Sequence, residues 1–294
     1  MAEINFEVTV PESLHAKRLD QTLAKLAPDY SREQLKAWIL QGNVSINSEI
    51  ITKPRTKVIE NQLITVCAQL DTQTFSEAQN INLNIVFEDE YFMVINKPAG
   101  LVVHPGAGNP HNTLLNGLLH HNSSLDKLPR AGIVHRLDKG TTGLMLVAKT
   151  LEAYSHLVAQ MKKRLVKRQY IALVIGSPIS GGTVEAPIDR HPKARIKMAV
   201  SPKGKPAVTH YRIKTRFKSH TLLNIELETG RTHQIRVHLS HIGYPLVGDP
   251  TYGGKRALSA TPSPSCQSSL KAFKRQALHA CQLNLSHPII KTPL

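Results

Sequence analysis

Cysteine is scarce in this chain, with three residues in 294, at Cys67, Cys266 and Cys281. They are widely spaced and no C-x-x-C pair occurs, which argues against a disulfide framework and against a structural zinc site. No apolar run approaches the length of a membrane span. "MAEINFEVTV" alternates like a strand and has no signal-peptide core, so the chain reads as cytoplasmic. Nucleotide hydrolysis lacks its G-x-x-x-x-G-K-[ST] loop, serine hydrolysis lacks a G-x-S-x-G elbow, and "HPGAGNP" holds only two glycines of a dinucleotide fingerprint. Acid is also in short supply: 21 Asp and Glu face 37 Lys and Arg, a formal charge of +16. A surplus of that size concerns partners rather than fold and favours a polyanion, nucleic acid first. No strongly basic amphipathic helix with an aromatic face accompanies it, so a membrane surface is not expected.

What is present divides into two textures. Residues 16–77 read as a compact unit. Leu19, Leu23 and Leu26 fall at helical spacing before Pro28, and a first-turn acid, Asp20, is expected on the exposed face of that helix. "SREQLKAWILQG" predicts a second helix with Ser31 and Gln34 as a capping box, an apolar face of Leu35, Trp38 and Ile39, and Gly42 at its end. "NVSINSEIITKP" predicts a hairpin turning at Asn47 and Ser48, and "NQLITVCA" another strand. "DTQTFSEAQN" is polar and aperiodic, a linker, so the chain divides as 1–77 and 78–294. Beyond it, strands outnumber helices and regular β-α-β alternation is absent. The larger domain is therefore predicted as α+β, a mostly antiparallel mixed sheet with flanking helices, behind a small α/β domain. Thr150 is expected to cap a helix whose one side carries Leu151, Tyr154, Leu157, Val158, Met161 and Leu165. "RTHQIRVHLSHIG" is expected to be a helix capped by Thr232, and "LSATPSPSCQSSL" (258–270) a polar, mobile loop.

The stretch "IVHRLDKGTTGLMLVAKT" holds a lone acid, Asp138, between Arg136 and a Gly-Thr-Thr-Gly turn. Alternation along an extended segment points Val134, Arg136 and Asp138 the same way, with Asp138 ending a buried strand. It either caps the turn or does chemistry. Arg231 and Arg236 sit at a strand-to-helix junction downstream. Either one against Asp138 would favour its ionised form, and either could equally be a solvent-facing helical arginine. Tyr170 follows the basic run Lys162, Lys163, Arg164, Lys167 and Arg168. It could stack on a base and present its hydroxyl, or be an ordinary sheet tyrosine. His233, His238 and His241 share one helix, with His104, His111, His120 and His121 elsewhere. Without H-E-x-x-H or a cysteine partner they suggest helix-surface or phosphate-contacting residues rather than a metal site.

In order along the chain, "NKPAGLVVHPGAGN", "AGIVHRLDKGTTGLMLVAKT", "KRQYIALVIG", "GKPAVTHYRI", "LETGRTHQIRVHLSHIGYPLVGDPTYGG" and "RQALHA" resemble the RluA-type pseudouridine synthases, over about residues 85–290. Residues 16–77 resemble the small RNA-binding domain first seen in a small-subunit ribosomal protein. The resemblance implies that Asp138 is the catalytic aspartate, that Arg136 helps displace the target base, that Tyr170 packs on the flipped uracil, and that Arg236 is the basic partner of the aspartate. It implies isomerisation of uridine in ribosomal RNA, with large-subunit RNA or its assembly precursor as partner, by a monomer that uses no metal or cofactor. The chain stops at "HPIIKTPL", where that family usually continues into a further strand and tail, so a short C-terminal tail is expected. Two other classes fit parts of the pattern. An inactive RNA-binding assembly factor would not need Asp138, and a phosphate-directed hydrolase built on the histidines would need a metal.

Overall fold

The computed structural model describes residues 3–28, 30, 32–69, 77–106, 108–194, 196–253 and 264–294. Ser31 of the expected capping box, most of the 71–80 linker, and residues 258–263 of the expected loop lie outside these. The chain forms two compact units, Met1–Phe75 and Ser76–Leu294.

The first unit is a four-stranded sheet with two helices. In chain order these are β1 (Glu3–Thr9), α1 (Leu19–Leu26), α2 (Arg32–Leu40), β2 (Val44–Ile46), β3 (Glu49–Ile50) and β4 (Leu63–Gln69), with sheet order β1-β4-β2-β3. The apolar residues expected on the two helices face one core: Leu19, Leu23, Leu35 and Ile39 are fully buried and Trp38 nearly so. Gly42 ends α2 at φ +80°, and the β2–β3 hairpin turns at Asn47 and Ser48, both at positive φ, which is the two-residue geometry that matches strand twist. Asp20 departs from expectation. It is buried rather than exposed, because Arg18 and Arg32 close over its carboxylate.

The second unit is built on an eight-stranded sheet. Its elements are β5 (Ile85–Glu88), β6 (Phe92–Lys97), α3 (Leu114–His121), β7 (Thr142–Ala148), α4 (Leu151–Lys162), β8 (Lys167–Ile175), β9 (Gly182–Glu185), β10 (Ile188–Arg190), β11 (Met198–Val200), β12 (Val208–Arg216), β13 (His220–Leu227), α5 (Gln234–His241), α6 (Pro264–Ala272) and β14 (Leu278–Asn284). The sheet order is β5-β6-β7-β14-β8-β13-β12-β9, and β10 and β11 form a separate two-stranded arm. Every pairing is antiparallel except β14 with β7, so the mixed, mostly antiparallel α+β architecture read from the sequence is what folds.

The late strand β14 enters between β7 and β8 and brings their residues together. Ala280 is in register with Gly143 on one side and with Tyr170 on the other. Gly143 has to be glycine: its φ is +114°, and a Cβ there would stand 2.2 Å from the Ala280 carbonyl oxygen. The main core lies on this sheet, with Met145, Val147, Ala172, Leu223, Leu239 and Leu278 among its members.

Two local expectations are corrected. Thr150 does cap α4, accepting from the Ala153 amide at 3.1 Å, but the buried side is Ala153 and Leu157 with Tyr154 and Met161 beside them. Leu151 is 60% and Leu165 58% exposed. Leu151 and Val158 sit on the flank of the helix, each residue turning the side chain by about 100°, and Leu165 lies past its end. Residues 264–270 of the expected loop belong to α6. No helix among the described residues is long and apolar enough to cross a membrane.

Candidate active site

Asp138 does not end a strand. Residues 134–138 are irregular chain, the bridge Ile133–Val147 to β7 lies just before them, and Asp138 sits on the loop entering β7. That loop is fixed from several directions. The Asp138 carbonyl accepts the Thr141 amide at 3.0 Å, the Lys139 carbonyl accepts the Gly100 amide at 2.8 Å, and Gln276 donates to the Thr141 hydroxyl at 3.0 Å. Lys97 is fully buried beneath it, donating to the carbonyls of Pro98 (2.8 Å), Leu101 (2.9 Å) and Lys139 (3.3 Å). Burial pulls the Lys97 ammonium down to about 8, against the opposing charge of Asp138 and with a further push from Arg275. The three carbonyl acceptors favour its charged form.

Of the two arginines considered for Asp138, Arg236 reaches it and Arg231 does not. Arg236 is 5% exposed on α5 and donates from Nη1 to Asp138 Oδ2 at 3.0 Å. Its other edge is bidentate to Asp249, Nε to Oδ2 at 2.7 Å and Nη2 to Oδ1 at 2.9 Å. Arg231 is exposed and donates to the Pro206 carbonyl at 3.1 Å. Burial acts to raise the Asp249 carboxyl, but the hydrogen bonds and charge of Arg236, with the Thr251 and Tyr252 amides, hold it below the usual carboxylate range. Arg236 itself is raised: burial works against its charge and the two aspartates outweigh it. Asp249 gave no signal as a functional residue in the sequence. It lies in "GDPTYGG", and nothing local says that its carboxylate turns towards a helix begun fifteen residues earlier.

Thr232 does not cap α5. His233 occupies the N-cap in the left-handed conformation (φ 58°), and the Arg231 amide is taken instead by the Gln234 side chain at 3.0 Å. Gln234 is fully engaged, its Oε1 also accepting from Thr229 and its Nε2 donating to Val208 and Thr209. This lock sets the start of α5 and so the position of Arg236. The histidines separate. His238 is fully buried, bonded to Thr209 and to the Ala186 carbonyl, so it is a core residue and not a surface one. His241 is exposed. His233 faces Asp138 across 3.9 Å. No His, Cys, Asp and Glu cluster able to hold a metal ion occurs among the described residues.

Two cavities meet at Asp138. One, of about 480 Å³, is lined by Arg136, Asp138, Arg168, Tyr170, His233 and Arg236 among others, so the four residues singled out in the sequence share one wall. Arg136 is exposed at its edge, and Tyr170 is 5% exposed. Burial raises the Tyr170 phenol, and the charge of Arg168 opposes that. Arg168 carries a buried Nε that has no hydrogen-bond partner among the described residues. The other cavity, about 670 Å³, shares Arg136, Asp138 and Arg236 and continues past His104, Lys139, Lys274 and Arg275. The sum is a carboxylate with one oxygen bonded, aimed into a cationic cleft beside an aromatic ring.

Comparison with known proteins identifies the family. Residues 91–241 match the RNA pseudouridylate synthase family and residues 17–64 the S4 domain. The ribosomal large subunit pseudouridine synthase D of Escherichia coli (strain K12) is 52% identical over 97% of this chain and 88% of its own length. That of Yersinia pestis is 53% identical over 98% of this chain and 88% of its own. Among solved structures, human RNA pseudouridylate synthase domain containing 1 superposes with a TM-score of 0.57 at 26% identity, covering 74% of this chain and 83% of that one. An S4 domain followed by a mixed sheet carrying these motifs in this order makes the chain a member of the RNA pseudouridylate synthase family, whose members are isomerases.

Proposed function

We propose that this chain converts specific uridines of large-subunit ribosomal RNA to pseudouridine, in the cytoplasm, with Asp138 as the catalytic carboxylate. The observation that carries this reading is the state of Asp138: Arg236 holds Oδ2, while among the described residues Oδ1 accepts no hydrogen bond and faces a cavity that also holds Tyr170 and Arg136. Named relatives at 52–53% identity are ribosomal large subunit enzymes, which supports the substrate.

The reaction is redox-neutral and conserves every atom. The bond from the ribose C1′ to N1 of the base breaks, the base turns, and a bond from C1′ to C5 forms. C5 gives up its proton and N1 gains one. A carboxylate can serve as nucleophile or as base near the sugar. Arg236 orients Asp138 without consuming its second oxygen. Tyr170, with its ring in the cavity wall, packs on the extruded uracil, and Arg136 at the edge helps displace it. Extrusion costs a few kcal/mol, and phosphate contacts offset it. Arg168, whose Nε has no partner among the described residues, is suited to one such contact. The S4 unit, residues 1–77 in the division read from sequence, adds RNA grip. Arg18, Arg32, Lys36, Lys53 and Arg55 line one groove of it.

The test is tritium release from C5-labelled ribosomal RNA, with filter binding in parallel. Asp138→Asn is expected to bind RNA and release nothing. Release at the wild-type rate would leave an RNA-binding assembly factor as the better reading. Binding is expected to weaken steeply with salt, each phosphate contact on single-stranded RNA adding about 0.7 to the log–log slope.

A further inference from the structure

Arg236 accounts for one oxygen of Asp138. What faces the other carries a second inference, which rests on the reading of Asp138 as the reacting carboxylate. His233 presents Nε2 to Oδ1 at 3.9 Å, and its Nδ1 lies 2.8 Å from the Tyr252 hydroxyl. That hydroxyl already accepts the Met198 amide at 2.8 Å. A phenol has a single hydrogen, and with a donor on its oxygen this hydrogen is available to His233 Nδ1. A neutral imidazole that accepts at Nδ1 carries its own proton on Nε2. The carboxylate points to the same tautomer, since a lone pair on Nε2 would face the negative charge of Oδ1. Burial keeps the ring neutral by lowering its pKa; Arg236 and Arg136 act in the same direction, and Asp138 and Asp249 oppose it.

The 3.9 Å separation exceeds a hydrogen bond. Contacts of this kind are long in a substrate-free site and tighten when substrate seats. One turn backs both oxygens of Asp138. Asp249 accepts the Thr251 and Tyr252 amides at 2.8 and 3.0 Å while gripping Arg236, and the Arg236 guanidinium lies 5.0 Å over the Tyr252 ring. Residues 249–252 therefore fix Arg236 through a carboxylate and His233 through a phenol.

We propose that His233 is a positioning residue for the isomerisation: its Nε2–H, set by the Tyr252 hydroxyl, directs Oδ1 of Asp138 as Arg236 directs Oδ2. The left-handed backbone at His233 tolerates asparagine, so His233→Asn keeps the fold and an acceptor near Tyr252 but presents nothing to Asp138. His233→Gln carries an amide N–H towards the Nε2 position. Tyr252→Phe keeps the ring under Arg236 and removes only the hydroxyl.

The experiment is single-turnover pseudouridine formation with enzyme saturating over ribosomal RNA, together with RNA affinity and melting temperature, on these three variants and Asp138→Asn. His233→Asn is expected to slow the rate constant on the order of 10–100-fold, the worth of a charge-assisted hydrogen bond, with RNA affinity unchanged. Tyr252→Phe should fall between it and wild type, and His233→Gln should recover most of the loss. A wild-type rate constant in His233→Asn or in Tyr252→Phe overturns the proposal. So does a His233→Gln variant as slow as His233→Asn, because that marks a purely structural role. An active Asp138→Asn would remove the reading beneath it, whereas an inactive Asp138→Asn beside a fast His233→Asn would sink this inference alone.

Discussion

The tripeptide Arg-Leu-Asp occurs twice, at 18–20 and at 136–138, and the two aspartates differ in what is left of them after folding. Asp20 is used up. Its Oδ1 accepts from Arg18 Nε at 2.9 Å, and its Oδ2 accepts from Arg18 Nη2 at 2.9 Å and from Arg32 Nη2 at 2.7 Å. Asp138 has one oxygen bonded and one exposed to a cavity, and its neighbouring Arg136 turns outward instead of back onto it. A carboxylate with both oxygens bonded by its own fold holds two elements together. One held by a single edge keeps an oxygen for a substrate.

That contrast can be broken first at Asp138. Asparagine there keeps shape and loses charge, so the rate of pseudouridine formation is expected to fall by at least about 10⁴-fold while filter binding of RNA persists. Activity surviving that change would put the two tripeptides on the same footing.

Next in size is Arg236→Ala, which leaves Asp249 buried without its bidentate partner. Removing one member of a buried pair costs about 3–5 kcal/mol, measurable as a shift in the denaturant midpoint of the larger unit, and turnover should drop with it. Asp249→Asn should lower turnover more than tenfold even though it lies behind Arg236, because the arginine loses its anchor. Wild-type turnover in Asp249→Asn would mean that Arg236 needs no backing.

Asp20→Asn should be milder. Arg18 and Arg32 are 36% and 53% exposed, so water screens the pairing and can take up the freed cations. A loss on the order of 1–2 kcal/mol is expected, confined to the small unit. This is larger than an exposed first-turn acid would give. The single tryptophan, Trp38, is buried in that unit and reports on it by fluorescence during denaturation. The rate constant at saturating RNA should not change.

The smallest effect is on pH. Burial would raise the Asp20 carboxyl, but hydrogen bonds and charge from Arg32 and Arg18 win and hold it low. The stability it contributes is thus complete above its unfolded value, about 3.9, and is lost as pH falls through the lower folded value. Trp38 fluorescence in moderate denaturant should show wild type losing its advantage over Asp20→Asn below about pH 4. A constant difference down to lower pH would argue against the ion pairs.

Much of the fold was legible because it is local. Leu19, Leu23, Leu35, Trp38 and Ile39 lie where helical period puts them, the Asn47-Ser48 turn needs positive φ that asparagine tolerates, and Thr150 caps α4. The errors cluster where a distant partner decided. Thr232 gave way to Gln234 because that side chain is also claimed by Val208 and Thr209 on a neighbouring strand. His238 was drawn inside by Thr209 and the Ala186 carbonyl.

The motifs from "NKPAG" to "RQALHA" were sufficient by themselves to indicate the family, because a run of special residues at fixed spacing leaves few alternatives. Charge was sufficient to indicate a polyanionic partner. Sequence could not tell the two Arg-Leu-Asp tripeptides apart by their own letters, nor find Asp249 and Tyr252. Those depend on β14 entering between β7 and β8, on α5 starting at Gln234, and on a turn at 249–252 meeting both Arg236 and His233. Local period sets which way a side chain leaves the backbone. Which atoms it meets there is set by segments far along the chain, and for these two carboxylates that meeting decides whether one oxygen or both are bonded.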